Sequence, residues 1–196
     1  AVLQAYLHAF GQDCSRQVSL VIKTMGSSPQ KKAILNTIRT LAQTDSRVVL
    51  IDEVLTRSET YSLTASCDVF VSLHRSEGFG LGIAEAMAMG KAVIATDYSG
   101  SKDFVSPQTG FPIPYRLVGV EPEQYPYFVP GQKWADPDVM EAARIMTLLA
   151  EHSDLITKIG ERARSYMAAM HSPEAVGKMI ANRLQDIHGY RNLYLA

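Results

Sequence analysis

Residues 67–97 read CDVFVSLHRSEGFGLGIAEAMAMGKAVIATD, and the fold turns on how they are read. CDVFVSL (67–73) is a short apolar run, too short for a helix and suited to a strand buried on both faces. GLGIAEAMAM (80–89) has the length and composition of a helix, and KAVIATD (91–97) is a second buried strand. Three glycines, Gly78, Gly80 and Gly82, mark the passage from strand to helix, with Glu77 before them and Glu85 one turn into the helix. Strand, glycine turn, helix and strand make a βα unit of a parallel sheet.

The same alternation extends outward. VSLVIK (18–23) and RVVLID (47–52) are further buried strands. Between them SSPQKKAILNTIRTLAQ reads as a helix, with Ser28 as N-cap and Pro29 at its first position. Val2, Leu3, Tyr6, Leu7 and Phe10 form one stripe of an opening helix, and SETYSLTASC (58–67) is a helix with Ser58 before its apolar run. GSKDFV is a short helical turn, and TGFPIPYRLVGV (109–120) holds one or two strands broken by prolines. EPEQYPYFVPGQKWADPD (121–138) reads as an irregular covering loop anchored by aromatics. Three helices follow at 137–151, 153–169 and 173–189, started by Asp136 with Pro137, Ser153, and Ser172 with Pro173. The expected fold is therefore α/β, a Rossmann-like parallel sheet with helices on both faces and the C-terminal helices packed on it, with 1–196 as a single domain.

Composition fits that fold and narrows the function. The 196 residues are 46% hydrophobic and 20% charged, with a formal net charge of -1. No polybasic run points to a nucleic acid. No apolar run approaches the roughly 18–20 residues that span a bilayer, and no signal peptide is evident. Cys14 and Cys67 lie far apart, without a CxxC pair or grouped histidines, and read as reduced thiols. No metal site is indicated, since there is no DxD and no cluster of His or Asp. The chain opens at Ala1 inside an amphipathic pattern, as a fragment of a longer protein would.

In a parallel sheet, ligands bind at the carboxyl ends of the strands. The expected strands end at Lys23, at Asp52 and Glu53, at His74, Arg75, Ser76 and Glu77, and at Asp97, Tyr98, Ser99 and Gly100. Any one of these is an ordinary polar exit from a sheet. Four in succession, with the glycines, indicate a site for a polar ligand. Glycines let backbone N–H groups approach a ligand, and the first N–H groups of a helix lack intrahelical partners and bind anions. A GxGxG run alone is equally a plain tight turn. The acids shift that balance. Ile83, Ala84, Ala86, Met87 and Ala88 make the helix apolar nearly all round, so the Glu85 charge needs a partner. A pair of sugar hydroxyls is one, each charge-assisted bond contributing roughly 1.5–3 kcal/mol.

Glu77-Gly-Phe-Gly-Leu-Gly-Ile-Ala-Glu85 resembles the E-x7-E signature of retaining glycosyltransferases of family 4, and the likeness runs almost unbroken over 67–105. GQKWADPD (131–138) is similar to a segment of bacterial members that build surface polysaccharides. The resemblance implies a GT-B fold, two Rossmann-like domains across a cleft, of which this chain is like the C-terminal, donor-binding one. It places Glu77 at the donor sugar near the reacting centre, as the catalytic residue. It places the backbone of Gly78, Phe79 and Gly80 by the sugar and diphosphate, Leu81 beside the ribose, and Glu85 on the ribose hydroxyls. Glu53, Val54 and Leu55, with Lys23 nearby, fall where relatives contact the base. His74 is either a phosphate or sugar contact or a strand-end histidine satisfied by backbone.

Relatives carry a strand and a basic segment before the helix that opens this chain. Without them, Lys23, Arg75 and Lys102 are the candidate cations for a diphosphate, and the sheet is expected to be gapped or completed by a strand from another chain. The implied partners are a nucleotide-diphosphate sugar, GDP- or UDP-linked and leaning to GDP-mannose, and a glycan or lipid-linked acceptor. No cofactor is implied. An N-terminal domain would hold most of the acceptor site and any peripheral membrane contact, at the cytoplasmic face, and this domain alone would be inactive. Two other readings stay open: another GT-B enzyme, such as a sugar-nucleotide epimerase or a phosphorylase, and a non-catalytic interaction module.

Overall fold

The computed structural model describes residues 1–11, 13, 15–25 and 32–194, with backbone alone for residue 32 and residues 189–194. The expected cap at Ser28 and Pro29, and Cys14, lie outside the described residues. The elements run α1 (Val2–Phe10), β1 (Leu20–Thr24), α2 (Lys32–Thr44), β2 (Val48–Asp52), α3 (Arg57–Ser66), β3 (Val69–Ser72), α4 (Leu81–Ala88) and β4 (Ala92–Thr96). A 3-10 turn (Ser99–Asp103), β5 (Phe111–Ile113), β6 (Tyr115–Gly119), β7 (Lys133–Pro137), α5 (Val139–Glu151), α6 (Ser153–His171) and α7 (Pro173–Tyr194) complete the chain.

The parallel sheet comes in two pieces. β1 pairs with β2, Leu20 opposite Val48, and β3–β4–β5 form a separate trio, Val69 opposite Ala92 and Ile94 opposite Phe111. Among the described residues no strand joins the pieces, so the expected gap is present. One core holds them together. Leu20 of β1, Val48 of β2, Ile94 of β4 and Ile113 of β5 share it with Tyr6 and Phe10 of α1 and Ala142, Ile145, Met146 and Leu149 of α5.

β4 shows why a central parallel strand reads as a continuous apolar run. All five of its side chains are buried. Ile94 enters the α1–α5 core, whereas Val93 and Ala95 enter a second core with Ile83 and Met87 of α4, Phe104, and Ala163 and Met167 of α6. Alternate residues of a strand point to opposite faces, so helices cover this trio on both.

Three expectations need correction. Residues 133–137 are not loop: they form β7, antiparallel to β6, with Tyr115 opposite Pro137. Pro137 therefore ends a strand, and α5 starts two residues later, at Val139, where the Asp138 carboxylate accepts from the N–H groups of Met140 and Glu141. The cap of α3 is Thr56 rather than Ser58, which lies inside the helix. The C-terminal helices pack on the domain, α7 through its contact with α6, and beyond that contact Met179, Ile180, Leu184 and Ile187 of α7 are exposed. Among the described residues no helix is long and apolar enough to cross a membrane.

Candidate functional site

The loop between β3 and α4 is held by a second loop, the one leaving β4. Gly80 caps α4 with φ 93, a left-handed conformation that favours glycine. A Cβ there would also meet Ile83, Phe104 and the Cγ of Glu77 at 3.3–3.6 Å. Ser99 takes φ 67, uncommon for a residue with a side chain, and its hydroxyl donates to the Glu77 carbonyl. Its neighbour Gly100 lies so close to the Gly78 carbonyl that a Cβ would sit 2.0 Å from that oxygen. Two loops from adjacent strands thus interlock by backbone contact, and the lock is centred on Glu77 and Gly78.

His74 fastens the second loop from below. Its Nε2 lies 2.9 Å from the Tyr98 carbonyl, an acceptor, so that nitrogen carries the proton and Nδ1 faces the Ser72 hydroxyl at 3.3 Å. His74 is tied to backbone through Nε2 in this structure. Phe79 anchors the first loop from its outer side, its ring 5.2 Å from Phe104 and 6.1 Å from His171.

Beyond the lock the expected residues line the carboxyl edge of the sheet. The Glu77 carboxylate is half-buried and accepts from the N–H of Gly78 at 3.1 Å. Leu81 and Glu85 lie on one open stripe of α4 together with Ala88. The helix, apolar nearly all round, is not buried all round, and the Glu85 side chain is 41% exposed. Its partner is also within the chain: the Tyr61 hydroxyl donates to Oε1 at 2.8 Å. Tyr61 in turn accepts from Nε of Arg57 at 2.7 Å, and the Arg57 guanidinium stands 4.0 Å from Glu85. The Tyr61 oxygen, and more weakly the Glu85 charge, hold Arg57 above its ordinary pKa. It carries its charge at any working pH.

Arg57 and Tyr61 were missed because the start of α3 was misplaced. Thr56 and Glu59 form a capping box: the Glu59 N–H donates to the Thr56 hydroxyl at 3.2 Å, and the Thr56 N–H donates to Glu59 at 2.7 Å. That T-x-x-E spacing is readable in sequence. It puts Arg57 and Tyr61 four apart on one face of α3. The cap also fixes the loop before it. Glu53 and Val54 are exposed and Leu55 is half-buried, so Val54 offers an open apolar surface at the edge where a base is expected.

The three candidate cations differ. Arg75 is committed away from the loop, to Asp136 at 3.3 Å and over the Trp134 ring at 4.9 Å, while its carbonyl accepts from the Ala135 N–H. Lys102 stands 3.9 Å from Asp97, both about half exposed, a pairing worth little in water. Lys23 has no ion-pair partner among the described residues. Asp52 Oδ1 and Thr96 Oγ1, at the ends of β2 and β4, are buried without hydrogen-bond partners among the described residues. No group of three or more His, Cys, Asp or Glu among the described residues is disposed to hold a metal ion.

This arrangement matches a known family. The family described as Glycosyl transferases group 1 matches residues 3–120, more than half of the chain. The chain belongs to that family. A curated relative, ORF330 of Acidianus filamentous virus 2, which carries a glycosyltransferase name, is 27% identical over 141 residues. The match covers 70% of this chain and 38% of ORF330, so the chain spans well under half of that protein's length. Among solved structures, the C-terminal domain of the group 1 glycosyl transferase LpcC of Francisella tularensis superposes with TM-score 0.66 at 18% identity, covering 88% of this chain and 78% of that one. Sucrose-phosphate synthase of Thermosynechococcus elongatus gives 0.66 at 22% identity, covering 96% and 42%. Anabaena HepE in complex with UDP gives 0.66 at 21%, covering 93% and 44%. The fold is that of a GT-B C-terminal domain.

Proposed function

We propose that this group 1 chain is the donor-binding domain of a retaining glycosyltransferase of family 4. It would bind a nucleotide-diphosphate sugar at the carboxyl edge of its sheet. The observation that carries this reading is the locked loop from Glu77 to Gly80 leading straight into α4, with Glu85 on the open stripe beyond. Glu77 faces the transferred sugar. The N–H groups of Leu81, Gly82 and Ile83, at the start of α4, receive the diphosphate, where helix ends favour negative charge. Glu85 takes the ribose hydroxyls, and Val54 packs on the base. The site contributes positioning and charge stabilisation rather than a strong nucleophile. The UDP bound to the similarly folded HepE supports a nucleotide at this kind of domain. The acceptor, a glycan or lipid-linked sugar of polysaccharide synthesis, would come from a second domain at the cytoplasmic face of a membrane.

Calorimetric titration with UDP and GDP tests the reading. Binding to one of them is expected, and Glu85→Ala should weaken it about tenfold or more, since a carboxylate bond to a hydroxyl contributes roughly 1.5–3 kcal/mol. A folded sample that binds neither nucleotide at millimolar concentration would sink it in favour of a non-catalytic module.

A further inference from the structure

The chain of contacts Arg57–Tyr61–Glu85 joins two helices that leave different pieces of the sheet. α3 follows β2, and α4 follows β3. The Tyr61 hydroxyl uses both of its capacities, accepting from Arg57 at 2.7 Å and donating to Glu85 at 2.8 Å. It cannot rotate toward another partner without losing both bonds. The guanidinium also lies over the Tyr61 ring, 5.2 Å from its centre, which holds the pair together. A glutamate on an open stripe would otherwise sample several rotamers. Here one carboxylate oxygen is tethered on the α3 side, and the other is turned free.

We propose that Tyr61, held in place by Arg57, is a positioning residue that fixes the Glu85 carboxylate to bridge a vicinal diol, and so makes the site select ribonucleotides over 2′-deoxyribonucleotides. The inference rests on the reading of Glu85 as the ribose contact. Two neighbouring hydroxyls can share one carboxylate only when its plane is set. Each such bond is charge-assisted, and a site that loses one partner keeps an unpaired acceptor. Arg57, 82% exposed, adds positive charge at the same rim.

The test titrates UDP, GDP and their 2′-deoxy counterparts into the wild-type chain and into Tyr61→Phe, which keeps the ring and removes only the hydroxyl. The wild type is expected to prefer the ribose form of its nucleotide by about tenfold, the loss of one charge-assisted bond. Tyr61→Phe should narrow that preference to about twofold while leaving affinity for the deoxy form nearly unchanged. Arg57→Gln should narrow it partly, since Tyr61 remains. A merely structural tie would weaken both forms equally, and that outcome overturns the proposal. So does a wild type that binds ribose and deoxy forms alike. A wild type that binds no nucleotide removes the donor-site reading itself. By contrast, binding with unaltered discrimination in Tyr61→Phe removes only the role of Tyr61. Thermal unfolding of each variant shows whether a change in binding comes from lost folding.

Discussion

In β4 every side chain is buried, whereas in β2, a strand of the other sheet piece, only Val48 is, and Val49 is 42% exposed. Both strands read alike in sequence as short β-branched runs. They differ in what surrounds them. β4 has a strand on each side and a core on each face. β2 has β1 on one side, and among the described residues no strand joins that pair to the trio. The site draws on both pieces. Its glycine loop hangs from the well-packed trio, and its expected base-contact loop, Glu53 to Leu55, hangs from the loosely packed pair. Precision is concentrated where the transferred sugar would lie. The loop from Glu53 to Leu55 is supported by the helix cap that follows it instead.

The sharpest way to break this contrast is to truncate matched residues. Ile94→Ala removes a fully buried side chain in a core that cannot easily collapse, and should cost about 3–4 kcal/mol. Val49→Ala should stay within about 0.5 kcal/mol, because its side chain already meets solvent. Denaturant midpoints measure both, and similar losses would show that the two pieces are equally packed. Gly100→Ala drives a Cβ into the Gly78 carbonyl, and should cost about 2–3 kcal/mol while displacing Glu77. Its effect on nucleotide binding should exceed what the lost stability explains, which titration well below the unfolding temperature reads directly.

A smaller effect than that of Gly100→Ala concerns the α3 cap. Thr56→Ala should cost about 1 kcal/mol. Glu59 carries the pH dependence, since bonds from the Thr56 backbone N–H and then its hydroxyl hold its carboxyl below the usual range. A depressed folded pKa means that the cap's contribution is fully present above the ordinary glutamate range. It is lost as pH falls through the lowered value. Hydrogen exchange at the first turn of α3 should accelerate on that acid descent in the wild type and not in Glu59→Gln.

What could be read from the chain alone follows the same physical divide. β1, β2, β3 and β4 were recognisable because buried parallel strands leave continuous apolar runs, and the E-x7-E spacing survives as local sequence. β7 was not, because Lys133, Trp134, Asp136 and Pro137 serve a two-stranded antiparallel ribbon with one open face, and its partner lies across a long loop. The commitment of Arg75 to Asp136 and Trp134 depends on that ribbon and was equally hidden. Glu85 was recognisable as an acid needing a partner, but Tyr61 stands 24 residues away on another helix.

The contact between Gly100 and Gly78 has an evolutionary corollary. Neither loop can drift alone: a side chain at 100 is tolerable only if the carbonyl at 78 moves, and moving it shifts Glu77 and breaks its bond to Ser99. Substitutions in 77–80 and 97–100 should therefore be strongly non-additive. Descendants of this sequence that reshape these loops would have to cross a valley in which the first change is harmful until the second arrives. The loops should thus be inherited as a matched pair.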